Sequence, residues 1–332
     1  MIGIFPSSKN CVAFGTKLAI AGLVLIILLD AVSNYKYWNR ITLTSSTGSV
    51  YNELSIRGAL QTKVYNNQRL LLGEESRPIM YTYYTPAATD MTNEANMELL
   101  EAWKKAWHDA GWEPVILNEA HARSLPEFDA LMDLIVDPTT IGTYNMACYI
   151  RWIAMAAVDG GFMSDYDTFP LNHFLRHGRE LPFAGQLTIW ERHVPCLVSG
   201  NGSEYFRMAK KIGRSLQEHV YKQKYINENG SKDAYRQQVR WSDMLALLEL
   251  YKKSSAMFIR KREVLDGLKI LQNPNWSKDD CEMARGMRAV HFSHQSIKEG
   301  KQTYRGSIHR ATIARQFLNR FHEVCEYTPV AD

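Results

Sequence analysis

The stretch Gly160-Gly-Phe-Met-Ser-Asp-Tyr-Asp167 decides the fold class and the function that we predict for this chain. Two glycines end a helical run, a short apolar strand follows, and Asp165 and Asp167 stand at its end, one residue apart. Because side chains alternate between the two faces of a strand, we expect both carboxylates to point the same way. Paired carboxylates on one face suit a divalent cation, which can neutralise a diphosphate leaving group. The alternative is a surface turn with two solvated acids.

The segments before this stretch predict a strand, a helix and a second strand. Residues 78–84 are rich in β-forming side chains, and residues 114–117 form a second short apolar run. Between them, apolar residues recur at helical spacing and Gly111 closes the helix: Met97, Leu100, Trp103 and Trp107. The order strand, helix, strand predicts a parallel pair joined by a crossover connection.

The remaining pattern continues this alternation of helices and strands. A mostly apolar helix is predicted over 144–158, and a strand over 195–199. Three apolar stripes predict further helices: Phe206, Ala209, Ile212, Leu216 and Val220; Trp241, Leu245, Leu248 and Tyr251; Ile308, Ala311, Phe317, Phe321 and Val324. We therefore predict an α/β fold with a mixed, mainly parallel sheet flanked by helices.

Composition sets broad limits. The chain has 332 residues, 39 basic and 35 acidic, so its net charge is only +4. This length allows one large domain or two small ones. Nothing in the charge pattern indicates a nucleic-acid partner.

The N-terminal residues differ from the rest. Lys17 precedes Leu18–Leu29, a run without a charged residue, and Asp30 ends it. We favour a short uncleaved membrane anchor, because the polar, Tyr-rich residues 34–76 resemble a stem. A cleaved signal peptide ending near Ala31-Val-Ser33 and a buried core helix are the alternatives.

An anchor or a signal peptide would both place the remainder in a secretory lumen. Asn201, Asn229 and Asn275 each begin a triplet for N-glycosylation. Beyond Cys11, the cysteines could form up to two disulfides or remain buried thiols: Cys148, Cys196, Cys281 and Cys325.

A longer motif then resembles a family. Arg151-Trp-Ile-Ala-Met-Ala-Ala-Val-Asp-Gly-Gly-Phe-Met-Ser-Asp-Tyr-Asp-Thr-Phe-Pro170 is similar to the core of glycosyltransferases related to the initiating α-1,6-mannosyltransferase of yeast and to capsular-polysaccharide glycosyltransferases. The resemblance implies a GT-A (Rossmann-like) fold, a UDP- or GDP-sugar donor, Mn²⁺ or Mg²⁺, and retaining transfer to a glycan or glycoprotein acceptor. It implies Asp165 and Asp167 as metal ligands, with Asp165 also a donor contact and Asp167 also a catalytic residue. Cys148 stands where the family has an Asp that contacts the donor sugar.

A second segment, Val290-His-Phe-Ser-His-Gln-Ser-Ile-Lys298, is similar to a late motif of related enzymes. There a histidine joins the metal and a lysine meets the diphosphate. His291 is the expected third metal ligand, with His294 as the substitute, and Lys298 is the expected diphosphate contact. Imidazole beside carboxylates would favour Mn²⁺ over Mg²⁺. The alternatives are core histidines and a solvated lysine.

Three further residues have two possible roles. Arg151 is either a donor contact or the partner of a buried acid. Asp243 is either a catalytic residue, which orients the acceptor or stabilises the sugar cation, or part of a helix start that is capped by Ser242 or by Asp243 itself. The turn at Asn201 either lines the donor or acceptor pocket or carries a glycan, and we favour the pocket.

The sequence as a whole predicts a single-pass type II protein of the Golgi or endoplasmic reticulum membrane. Its segments are a cytosolic tail (1–17), a signal anchor (18–33), a stem (34–76) and a luminal catalytic domain (77–332). The expected activity is metal-dependent hexose transfer. A glycan- or nucleotide-binding protein without turnover is the second hypothesis, and a metal-dependent phosphohydrolase is the third.

Overall fold

The computed structural model describes residues 77–86, 90–135, 138–171, 180–229, 241–271, 278–284, 286–299 and 310–325. The predicted tail, anchor and stem lie outside these residues, and so do Asn275 and Ile308. Within the described ranges, we find no helix that combines the length and the apolar character needed to cross a membrane.

Strands in the described residues form two sheets. They are β1 (Ile79–Tyr83), β2 (Glu113–Leu117), β3 (Gly160–Ser164), β4 (Thr168–Pro170), β5 (Thr188–Glu191), β6 (Val194–Asn201), β7 (Ile259–Arg260), β8 (Val264–Asp266) and β9 (Ala289–His291). The larger sheet has the order β2-β1-β3-β6-β5-β7, and the smaller has the order β4-β9-β8. In the larger sheet β1 is parallel to β2 and β3, and β5 to β7, whereas β6 runs antiparallel to β3 and β5.

The described α-helices are α1 (Asp90–Asp109), α2 (Glu119–Arg123), α3 (Phe128–Met132), α4 (Pro138–Ala157), α5 (Gly202–Asn229), α6 (Asp243–Lys253), α7 (Gly267–Leu271), α8 (Lys278–Ala284), α9 (His294–Glu299) and α10 (Arg310–Val324). Helix α1 connects the parallel strands β1 and β2, which confirms the predicted crossover. The prediction of a mixed, mainly parallel sheet flanked by helices is also confirmed.

The two glycines that open β3 are required by the backbone. Gly160 and Gly161 have φ angles of 82° and 122°, which side chains rarely tolerate. A Cβ on Gly160 would also lie 2.4 Å from the carbonyl oxygen of Gly200 on β6. The glycine pair therefore allows the chain to leave α4 and enter the sheet against β6.

Two of the predicted apolar stripes differ from the buried faces. In α1 the side chain of Met97 is exposed and Asn96 is buried beside Leu99 and Leu100. In α6 the predicted Leu245 is exposed, and the buried face consists of Asp243, Ala246, Leu247 and Leu250. The second difference arises because a buried acid, and not an apolar residue, begins the inward face of α6.

The cysteines of the described residues divide into one disulfide and two thiols. Cys281 and Cys325 form a disulfide that joins α8 to the end of α10. Cys148 and Cys196 are buried free thiols. The disulfide fixes the end of the last described helix to the body of the domain.

Candidate metal centre at the junction of two sheets

A tight turn joins β3 of the larger sheet to β4 of the smaller one. The amide of Asp165 donates to Cys196 O at 2.8 Å, and the amide of Thr168 donates to Asp165 O at 3.0 Å. The amide of Phe292 then donates to Asp167 O at 2.9 Å. These bonds attach one end of the turn to β6 and the other to β9, so its two acids have fixed positions.

Two tryptophans of α1 support this turn from beneath. The indole N–H of Trp103 donates to Ser164 Oγ at 2.8 Å, and that of Trp107 donates to Thr168 O at 3.0 Å. Both rings are fully buried. The two indoles donate hydrogen bonds to the residues that precede and follow the two acids. The apolar stripe of α1 that was predicted from sequence therefore helps to position the site.

The structure brings Asp165, Asp167 and His291 together. Ligand atoms of these three residues all lie within 4.8 Å of one another. We expected the two acids to point the same way because they would share one face of a strand. That reason was wrong, because β3 ends at Ser164 and both acids belong to the following turn. His291 reaches them because it pairs with Thr168 across the antiparallel strands β4 and β9.

Asp167 is held on both of its oxygens. His291 Nε2 lies 3.4 Å from Asp167 Oδ1, and Arg310 Nη1 donates to Oδ2. Burial acts to raise the pKa of Asp167, but the charges of His291 and Arg310 outweigh this effect and lower the pKa to about 2. Asp167 is therefore a carboxylate at any ordinary pH.

Asp165 lies in a less favourable environment. Arg151 Nη1 donates to Asp165 Oδ1 at 2.5 Å. Burial nevertheless raises the pKa of Asp165 to about 6, and the negative charge of Asp167 adds to this shift. A cation placed between the two carboxylates would relieve both effects.

Asp243 is the buried anchor of Arg151. Its Oδ2 accepts from Arg151 Nε at 3.0 Å, from Arg151 Nη2 at 2.5 Å and from Trp152 Nε1 at 3.0 Å. Its Oδ1 accepts from the amide of Met244 at 2.8 Å, while Ser242 caps the helix through the amide of Leu245. The structure thus places Arg151 between two acids and places Asp243 behind Arg151.

His291 has a second acidic neighbour on its other face. Its Nδ1 lies 2.9 Å from Glu191 Oε2, and the thiol of Cys196 donates to the same oxygen at 2.8 Å. Burial disfavours a charged ring, yet the negative charge of Asp167 and its hydrogen bond to the ring prevail and hold the pKa of His291 above its ordinary value. Ligand atoms of Glu191, Cys196 and His291 also lie within 4.8 Å of one another.

Other predicted site residues lie outside the cluster. His294 begins α9 and its side chain is exposed; partial desolvation by its neighbours, together with the charge of Arg310, lowers its pKa. Lys298 is in the same helix, but its side chain falls outside what the structure describes.

The turn at Asn201 lies at the far end of β3, because Asn201 pairs with Gly160 while Leu197 pairs with Ser164. Asn201 Oδ1 there accepts from the amide of Glu204 at 2.9 Å, so this side chain stabilises the start of α5 rather than lining the candidate site.

Sequence reasoning missed Glu191 and Arg310. Arg310 is 1% exposed and follows a segment with no local signal of a site. Glu191 ends β5 and is an ordinary acid in the sequence. The hairpin spacing between Glu191 and Cys196 was the available signal, because it places the two side chains near each other.

A family model described as "Domain of unknown function (DUF8765)" matches residues 59–272. No curated protein matches the sequence. Among solved structures, the chain is similar to the apo-form glycosyltransferase GlyE of Streptococcus pneumoniae TIGR4, with 10% sequence identity and a TM-score of 0.32. That match covers 74% of this chain and 64% of the solved chain, which is less than two thirds of its length. The family match includes Asp165 and Asp167 and ends before His291 and Arg310.

Proposed function

This chain belongs to the family described as "Domain of unknown function (DUF8765)", and from its site we propose that it is a metal-dependent glycosyltransferase. It transfers a hexose from a UDP- or GDP-sugar to a glycan or glycoprotein acceptor. The observation that carries the proposal is the convergence of Asp165, Asp167 and His291, whose ligand atoms lie within 4.8 Å of one another where the two sheets meet.

The donor set fits a hard or borderline divalent cation. Two carboxylates and one imidazole are ligands that Mn²⁺ accepts readily, and Mg²⁺ is the alternative where oxygen ligands predominate. Among the described residues of the cluster, four carboxylates face two guanidinium groups, an excess of two negative charges: Asp165, Asp167, Glu191 and Asp243 against Arg151 and Arg310. One divalent cation balances that excess when His291 is neutral.

Each residue near the cation then has a separate task. Asp165, Asp167 and His291 hold the ion, which supplies Lewis-acid stabilisation of the diphosphate. Arg151 is fixed by Asp243 and reaches Asp165, so its buried guanidinium lies beside a ligand carboxylate, where we assign it to contact with the donor. We assign Asp243 to holding Arg151, since both of its oxygens already accept hydrogen bonds.

The reaction requires no redox partner. The bond between the anomeric carbon and the diphosphate oxygen breaks, and a bond from that carbon to the acceptor oxygen forms on the same face. The acceptor proton passes to the departing phosphate oxygen. Retention of configuration is the part of this proposal that comes from the resemblance of residues 151–170 to the α-1,6-mannosyltransferase type.

The test is a donor screen of the purified protein with UDP- and GDP-hexoses, Mn²⁺ and a panel of oligosaccharide acceptors. We expect nucleoside diphosphate release that depends on acceptor and is abolished by a chelator. Asp165→Asn should reduce it at least ~100-fold, because a ligand to the metal is lost. Asp159→Asn is the matched control, since Asp159 is an exposed acid at the other end of β3. Full activity in Asp165→Asn, or turnover unaffected by chelation, would refute the proposal.

The second candidate function is binding of a nucleotide sugar or glycan without turnover. The observation in its favour is Cys148, whose thiol stands where the resembling enzymes have an acid. Burial raises the pKa of Cys148 to about 12, so the side chain remains a neutral thiol. Saturable donor binding by calorimetry, with neither transfer nor hydrolysis in the screen, would favour this candidate. Rapid donor hydrolysis without acceptor would indicate a phosphohydrolase.

A secretory location is part of the proposal and is supported by the disulfide between Cys281 and Cys325. Disulfides persist in oxidising compartments and are rare in the cytosol. We propose a Golgi or endoplasmic reticulum protein whose domain from residue 77 is luminal. An endoglycosidase shift that is lost when Asn229 and Asn275 are both changed to Gln would support it. A protein that stays accessible to protease in sealed microsomes would contradict it.

A further inference from the structure

The two ring nitrogens of His291 face different partners. Nε2 lies 3.4 Å from Asp167 Oδ1, on the side of the candidate metal centre. Nδ1 lies 2.9 Å from Glu191 Oε2, on the opposite side. A histidine that binds a metal through one nitrogen must carry its proton on the other, and the partner of that second nitrogen decides which tautomer is present.

Glu191 is itself fixed. It ends β5, and Arg192 in the following turn has a φ of 57°, in the left-handed region. The hairpin returns along β6 and brings the fully buried thiol of Cys196 within 2.8 Å of Glu191 Oε2. One carboxylate oxygen thus accepts from a thiol and faces the Nδ1 of His291, which lies 100 residues further along the chain.

We propose that Glu191, held by Cys196, is a positioning residue that keeps the proton of His291 on Nδ1 and turns Nε2 toward Asp165 and Asp167. This inference rests on the proposed metal-dependent function and assigns no contact between Glu191 and substrate. A carboxylate behind a ligand histidine fixes the orientation of the ring and increases its basicity as a ligand. Every member of the candidate ligand set then has an outer partner: Asp165 has Arg151, Asp167 has Arg310, and His291 has Glu191.

The competing arrangement is a second metal site made of Glu191, Cys196 and His291 themselves. Their ligand atoms also lie within 4.8 Å of one another, and a thiolate ligand would select a softer ion such as Zn²⁺ or Cd²⁺. The hydrogen bond from the thiol to Glu191 argues against it, because the thiol then keeps its proton.

The experiment measures binding of Mn²⁺ to the full-length protein by electron paramagnetic resonance, with no sugar donor present. We expect Glu191→Ala to weaken Mn²⁺ binding 10- to 100-fold, the usual effect of losing an outer partner. Glu191→Gln should weaken it less, because the amide oxygen still accepts from Nδ1. Glu263→Ala is the matched control: Glu263 is also part-buried and paired, with Arg288, but it does not contact His291. Its Mn²⁺ affinity should equal that of the wild type.

A second measurement reports the tautomer directly. Two-bond ¹H–¹⁵N spectra of the wild-type histidines should show His291 protonated on Nδ1 when Mg²⁺ fills the site, and Glu191→Ala should lose this preference. Wild-type Mn²⁺ affinity in both Glu191 variants would refute the inference alone. A wild-type protein that binds no Mn²⁺ would refute the proposed function and this inference with it. A thiolate absorbance band on addition of Cd²⁺, absent in Cys196→Ser, would overturn the inference in favour of the soft-metal site.

Discussion

Arg310 and Asp167 are 143 residues apart in the sequence, yet the guanidinium of Arg310 donates directly to Asp167 Oδ2. The contact occupies one carboxylate oxygen and leaves Oδ1 facing His291. Arg310 is almost completely buried, so its charge has little access to water. Arg310, the first residue of α10, therefore holds the candidate metal ligand Asp167 through the oxygen that does not face His291.

The Arg310–Asp167 pair predicts an unequal result for single and double substitutions. Asp167→Asn should lower the free energy of unfolding by about 3–5 kcal/mol, because it leaves a buried guanidinium without its counter-charge. Asp167→Asn combined with Arg310→Met should recover most of that loss, since the buried charge is also removed. Urea denaturation of the metal-free proteins measures both, and a double variant less stable than Asp167→Asn would contradict the prediction.

Substitution of Asp165 should have the opposite effect on stability from substitution of Asp167. Burial raises the pKa of Asp165 to about 6, so above pH 6 the folded protein contains a carboxylate whose ionised form is destabilised by its surroundings. Asp165→Asn should therefore stabilise the metal-free protein at pH 7.5 by about 1–3 kcal/mol, which is a rise in Tm of several degrees. The native state binds more protons than the unfolded state between pH 4 and 6, so the advantage of the Asn variant should shrink as the pH falls through that window. Thermal scans at pH 5 and pH 7.5 test it, and a destabilised variant at pH 7.5 would sink the idea.

The buried thiols should resist alkylation. Burial raises the pKa of Cys148 to about 12 and that of Cys196 well above its ordinary value, so at pH 8 both remain neutral thiols, which are poor nucleophiles. We expect iodoacetamide to label neither residue in the native protein and both after unfolding in urea. Cys281 and Cys325 should be labelled only after reduction. Peptide mass spectrometry gives all four results, and rapid native labelling of Cys148 would contradict this account.

Removal of the disulfide should lower the free energy of unfolding, because the unfolded chain gains conformational entropy. Cys281 and Cys325 are separated by 44 residues, and a loop of that size corresponds to about 4 kcal/mol in the chain-entropy estimate. The double variant Cys281→Ser/Cys325→Ser should lose about 2–4 kcal/mol. The control is Cys196→Ser, which removes a thiol and leaves the disulfide intact. Equal stability of the double variant and the wild type under oxidising conditions would contradict the prediction.

Local signals were sufficient for one half of the site. The glycine pair, the apolar strand and the acids after it are adjacent in sequence, and the tryptophans that hold the turn have the spacing of one helical face. The parallel pair β1 and β2 also followed from the order of strand, helix and strand. Hydrophobic periodicity, turn chemistry and the order of neighbouring elements determine such features, and all three can be read from a single sequence.

The other half depends on contacts that no local pattern encodes. A carboxylate at Asp243 sets the buried face of α6 because Arg151, 92 residues earlier, neutralises it. An apolar stripe predicted from hydrophobicity excludes such a residue, which explains why Leu245 was placed inward and lies outward. Glu191 and Arg310 were missed for the same reason, since each contacts the site only through a partner that is distant in sequence, His291 and Asp167 respectively.

The way the site is assembled also orders events during synthesis. The segment with Asp165 and Asp167 leaves the ribosome long before His291 and Arg310, and a domain generally folds as a unit. Until the last part of the chain docks, the two acids lack both the candidate third ligand, His291, and one of the balancing charges, Arg310. The bond from Cys281 likewise waits for Cys325. Under the proposed function, a newly made chain would therefore bind its cation only after the last part of the chain has docked, as a late step of maturation.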